Sequence, residues 1–133
     1  MAEEIEIGLR QSEQGTITNR SQSITIRNTG LKPQKAEYYR KLHANPWPSV
    51  NAKLNECHIH NFSIYEREIA GKTYLFAYLE YTGRDFAADM KKMGDDPETQ
   101  RWWMETDPCQ TPLPDALKAG KIWSDTKEIY HLD

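Results

Sequence analysis

The sequence predicts an α+β fold, an antiparallel sheet with helices packed on one face, and three observations carry that prediction. β-branched residues alternate with polar ones over residues 21–29, as in a strand. Apolar residues then recur at spacings of three and four from Pro33 to about Asn55, as in a helix with one buried face. Two further alternating runs meet across Ala70-Gly71-Lys72, as in a hairpin. With the helix and strand signals that follow, the order is strand, helix, strand, strand, helix, strand, which is the ferredoxin-like arrangement. A chain of 133 residues suits one domain. Residues 21–133 are expected to form it, and residues 1–20, a mixture of Glu, Gln, Ser, Thr and Gly with isolated Ile, read as an N-terminal extension.

Taken in order, the first strand ends near Gly30 and Pro33, and Pro33 is suited to the first turn of a helix. Ala36, Tyr39, Leu42 and His43 mark the helix face. Pro46 and Pro48 each remove a backbone donor and disfavour helical geometry in the preceding residue, so the helix should break around Trp47 before Val50 and Leu54 resume it. After Cys57, His58, His60, Phe62 and Ile64 alternate with Ile59, Asn61, Ser63 and Tyr65, a strand with two usable faces. Thr73 to Tyr81 is its partner, with Tyr74, Phe76 and Tyr78 on one face and Leu75, Ala77 and Leu79 on the other. Asp85 to Met93 reads as a short helix ended by Gly94, and Asp96-Pro97-Glu98 starts another through Arg101, Trp102 and Trp103. Pro108, Pro112 and Pro114 argue against regular structure, and Glu128 to Leu132 is the expected last strand. Helices on one face leave the other uncovered and rich in aromatics, so a homodimer closed sheet to sheet is expected.

The composition narrows the function. Seventeen basic and 20 acidic residues are interspersed to a net charge of −3, with no basic footprint for nucleic acid. No apolar run approaches the roughly 18 residues of a membrane span, and the acidic start is unlike a signal peptide, so a cytoplasmic protein with reduced Cys57 and Cys109 is expected. Four Trp and seven Tyr favour a lined pocket. Cys57, His58 and His60 bear zinc-ligand side chains, but no fourth ligand stands at a fitting spacing, and no metal site is expected. Tyr39 and His43, four apart on a helix, share one patch, and the break at Trp47 closes a plausible wall for a small molecule.

Several motifs then line up in one order: Tyr39-Arg-Lys-Leu-His43 with Trp47-Pro48, His60-Asn-Phe-Ser-Ile-Tyr65, Gln100-Arg-Trp-Trp103 and Glu128-Ile-Tyr-His-Leu132. Together, from about Ser23 to the C-terminus, they resemble the L-rhamnose mutarotase family. The resemblance implies a dimeric α/β barrel that interconverts the α and β anomers of a 6-deoxy monosaccharide without metal or organic cofactor. His43 matches the catalytic histidine, and Tyr39, Phe62, Trp102 and Trp103 match the sugar-binding positions. Phe62 stands where the family commonly has Tyr, and the passage 107–114 differs from the family's segment. The chemistry fits these residue types. Histidine populates both protonation states near neutrality and can carry a proton in either direction, and indole faces stack on the C–H surface of a deoxy sugar. A non-catalytic sugar-binding or regulatory module on the same barrel is the rival reading, and a cofactor-free oxygenase a more distant one.

Overall fold

The computed structural model describes residues 23–133, so the extension expected over residues 1–20 lies outside the described residues. Strand β1, Ser23–Leu31, runs antiparallel to β3, Lys72–Tyr81, which in turn pairs with β2, Ile59–Ile69. On its other side β1 pairs with two short strands, β4 at Gln110–Thr111 and β5 at Ser124–Asp125. The sheet order β2-β3-β1-β4 is that of the ferredoxin-like fold. Both crossovers are helical: α1, Ala36–Ala44, and α2, Pro48–Glu56, link β1 to β2, and α3, Phe86–Asp95, and α4, Pro97–Thr106, link β3 to β4.

Local sequence accounts for the helix boundaries. The break at Asn45–Trp47 falls where the two prolines require it, and Pro48 opens α2 at a position where its missing N–H is no loss. Asp85 caps α3 by accepting from the Ala88 amide, and Asp96 caps α4 by accepting from the Thr99 amide at 2.9 Å. Pro114 likewise opens a short helix, α5, Pro114–Lys118.

The helices cover one sheet face. Leu79, Tyr81 and Ile59 pack there against Cys57, Phe86, Met90 and Met93 in one cluster, and Leu31, Leu75 and Ala77 pack against Ala36, Tyr39, Cys109 and Trp123 in another. At one end Tyr81 donates to Asp89 at 2.5 Å, and His58 Nδ1 stands 3.2 Å from the same oxygen. A Cβ on Gly83 would run into the Tyr81 hydroxyl and the Asp89 carboxylate, so a side chain there would displace this network.

Three expectations are corrected. No strand forms over Glu128–Leu132; the fourth strand is divided between β4 and β5, and after Asp125 the chain is held to β1 by the Thr126 hydroxyl donating to the Ile26 carbonyl at 2.6 Å. The proline-rich passage is not wholly irregular, because Pro114 stands at a helix start and Gln110–Thr111 pairs with Gly30 and Leu31. Finally, His60 and Phe62 do not share a face. Between His60, opposite Glu80, and Ser63, opposite Tyr78, β2 carries one extra residue, with Asn61 at φ 47°. This bulge turns Phe62 and Ile64 toward the helices while His60 stays on the open face.

Candidate functional site

A cavity of about 580 Å³ lies between the helix layer and the sheet, lined by residues of both core clusters. All five residues singled out from the sequence line it: Tyr39 and His43 from α1, Phe62 from the bulge in β2, and Trp102 and Trp103 from α4. Trp103 also packs against the cluster around Leu79, so it serves core and cavity together.

His43 stands at the centre of an aromatic group. Its ring lies 4.3 Å from that of Tyr39, centroid to centroid, and 5.2 Å edge-on from Trp102, which meets Trp47 edge-on at the same distance. Imidazole Nδ1 is 2.8 Å from the Tyr39 carbonyl oxygen. A carbonyl can only accept, so Nδ1 carries the hydrogen, and in the neutral ring Nε2 keeps its lone pair. Burial lowers the His43 pKa below the ordinary histidine value, opposed by that backbone hydrogen bond. The ring is therefore neutral at pH 7 and able to accept a proton. Tyr39 is buried, and burial pushes its phenol far above its usual value; the Cys109 and Asp107 charges act in the same direction and the Arg27 charge against it. Tyr39 can donate a hydrogen bond but cannot act as a base near neutrality.

Trp47, at the helix break expected to close a wall, contacts Trp102 and lines the cavity. Sequence reasoning missed other wall residues. Arg40 and Glu66, from α1 and β2, form a two-point ion pair of 2.9 and 2.5 Å, which raises the guanidinium pKa and lowers that of the carboxyl. On the floor, Arg27 is only 4% exposed and its guanidinium lies 5.0 Å from the Trp123 ring centroid. Asp107 and Gln110 line the same cavity. The alternation of β1 put Arg27 on a face with Thr25 and Thr29, but which face meets the helices becomes visible only when β1 is paired.

Elsewhere, Arg101 pairs with Glu98 and Tyr38 donates to Glu105, both outside the cavity lining. Cys57 and Cys109 are buried free thiols. Among the described residues no three His, Cys, Asp or Glu side chains are grouped closely enough to hold a metal ion, and no helix is long and apolar enough to cross a membrane.

The family model for L-rhamnose mutarotase matches residues 26–132. The L-rhamnose mutarotase of Bacillus subtilis strain 168 is 32% identical over 99 residues, 74% of this chain and 88% of that protein. That of Lactiplantibacillus plantarum is 29% identical over 97 residues, 73% of this chain and 86% of its own. The crystal structure of an L-rhamnose mutarotase from Formosa agariphila superposes with a TM-score of 0.61 at 16% identity, covering 83% of this chain and 98% of that one, which is a likeness of fold.

Proposed function

Because the chain belongs to the L-rhamnose mutarotase family, a family of isomerases, we propose that it interconverts the α and β anomers of L-rhamnose or a closely related 6-deoxy sugar, with His43 as the acid-base catalyst. The observation that carries this reading is the His43 geometry: Nδ1 is tied to the Tyr39 carbonyl at 2.8 Å, while the ring is wedged between Tyr39 and Trp102 in the cavity wall. That arrangement fixes the tautomer and leaves Nε2 as the proton acceptor.

The step needs only protons. His43 Nε2 takes the proton of the anomeric hydroxyl, the O–H electron pair forms the C1=O bond, and the C1–O5 bond breaks with its electrons on O5. The imidazolium returns the proton to O5. Rotation about C1–C2 presents the other aldehyde face, and closure runs the same transfers in reverse. No electron leaves the sugar and no group is transferred, so the reaction requires no cofactor. General acid-base catalysis contributes about 10² to 10⁴-fold, and stacking on Trp102, with Phe62 and Trp103 also lining the cavity, adds orientation. Phe62 offers a ring face without a hydroxyl, so the sugar's bonds are left to other wall residues.

The open sheet face supports a homodimer as the working form. Tyr65 pairs with Phe76 and Ser63 with Tyr78 on that face, and Ile26 and Tyr65 are 44% and 62% exposed. A second copy of this chain, two-fold related and packed sheet to sheet, would bury this apolar surface.

The test is saturation transfer between the α and β anomeric protons of L-rhamnose by NMR, with wild type and His43→Ala. Transfer that depends on the protein and disappears in the variant is expected. Shift changes that report sugar binding without any transfer would refute the isomerase reading and leave a binding module.

A further inference from the structure

We propose, resting on the sugar-isomerase reading, that Gln110 is a specificity-determining residue that donates from its side-chain amide to a ring hydroxyl of the substrate. Gln110 stands on β4 opposite Leu31, is 3% exposed and lines the cavity. Its Nε2 has no hydrogen-bond partner among the described residues. Buried amides in native proteins are almost always satisfied, and a primary amide nitrogen has two hydrogens to place. The nitrogen itself is sealed from solvent, so it meets an acceptor arriving with the ligand as the side-chain amide turns toward the cavity.

The surroundings define the class of that ligand. Arg27 and Asp107 line the same cavity, and the Tyr39 phenol lies within the field of both. A guanidinium, a carboxylate and a neutral amide together disfavour a strongly anionic or strongly cationic ligand. A hydroxyl, which both donates and accepts, suits all three. Aromatic side chains, Trp102 and Trp47, form the opposite kind of surface on the helix side. The cavity thus offers apolar surface for the C–H and methyl groups of a 6-deoxy sugar and, set among apolar residues such as Leu75 and Leu79, a few polar groups for its hydroxyls, Gln110 among them.

The experiment titrates wild type, Gln110→Leu and Gln110→Glu with L-rhamnose and its 2-, 3- and 4-deoxy analogues, following chemical shifts, and measures anomer exchange at several sugar concentrations. Gln110→Leu is expected to weaken L-rhamnose binding about tenfold, raising KM by a larger factor than it lowers kcat. One deoxy analogue should bind wild type about tenfold more weakly than L-rhamnose does, yet bind the Leu variant as well as L-rhamnose binds it. Gln110→Glu, which loses both donors, should weaken L-rhamnose binding as well. Because Leu removes a buried unmet amide, its melting temperature should not fall. Unchanged affinity in Gln110→Leu, or equal losses with every analogue in both proteins, overturns the proposal. The titration does not depend on turnover: wild type that binds L-rhamnose without exchanging its anomers refutes the isomerase reading alone, and wild type that binds none of these sugars overturns both.

Discussion

Trp102→Leu separates the roles of burial and orientation at His43. Trp102 meets His43 and Trp47 edge-on, each at 5.2 Å between centroids. Such pairs contribute about 0.5–1.5 kcal/mol each beyond the area they bury, so the variant loses about 1–3 kcal/mol of aromatic contact in all. The share that acts directly on His43 is one contact, and if it is lost from the transition state it slows the reaction about 2- to 12-fold at about 1.4 kcal/mol per factor of ten. The same substitution opens His43 to water. Burial is what holds the imidazole pKa down, so the pKa should move up toward the ordinary 6.5 of a solvated histidine. The assay is an NMR titration of the His43 ring protons in wild type and variant, alongside the exchange rate at neutral pH. An upward shift with a several-fold slower rate is expected. A His43 titration identical in the two proteins would refute the reasoning, because it would mean that Trp102 does not shield the ring.

Four further outcomes can be checked. The wild-type exchange rate should be level from pH 7 upward and fall only as pH drops through the folded His43 pKa, which lies below 6.5; between those values the unfolded chain binds a proton that the folded chain does not, so stability at this residue falls in the same direction, measurable by denaturant titration at several pH values. Leu79→Ala, at a side chain 1% exposed in the cluster around Met90, should lower stability by about 2–5 kcal/mol in urea unfolding without changing the slope. Asp96→Ala should lower it by about 1 kcal/mol, since Asp96 accepts from both the amide and the hydroxyl of Thr99 at the start of α4, and an unchanged unfolding midpoint would argue against that cap. Phe76→Glu, placing a charge in the middle of the open sheet face, should convert a dimer to a monomer in sedimentation velocity; a variant that sediments as wild type does would remove the sheet-to-sheet assembly.

What could be read from the sequence was what local chemistry decides. The prolines at 46 and 48 located the break between α1 and α2, Asp96-Pro97 located the start of α4, and the spacing of Tyr39 and His43 placed them on one helix face, where their rings do lie 4.3 Å apart. What pairing decides could not be read. Phe62 is in the cavity only because β2 gains a residue against β3, which no alternation within β2 reveals. In β1 the helices cover Thr25, Arg27 and Thr29, while Ile26 faces outward at 44% exposed, the reverse of what hydrophobicity along that strand alone suggests. Of these three, Arg27 lines the cavity, and the Thr29 hydroxyl is satisfied by the Ile122 carbonyl at 2.7 Å. Arg40 and Glu66 meet across 26 positions of sequence, and Gln110 reaches Leu31 across a longer interval, so neither could be placed without the sheet.

The prolines that end α1 also bear on the proton transfer proposed for His43. Because α1 stops at Ala44, His43 lies in its last turn, where the aligned peptide dipoles leave about half a negative charge at the helix end. Burial favours the neutral ring, yet in the proposed reaction the imidazolium would form beside that partial charge. A cation at such a position is favoured by about 0.3–1 kcal/mol, and by up to ~2 kcal/mol when partly buried. Under that proposal the helix terminus would lower the energy of the charged intermediate without contributing a side chain. If α1 continued through residues 45–47, His43 would lie about a turn before its end and outside the strongest part of that field.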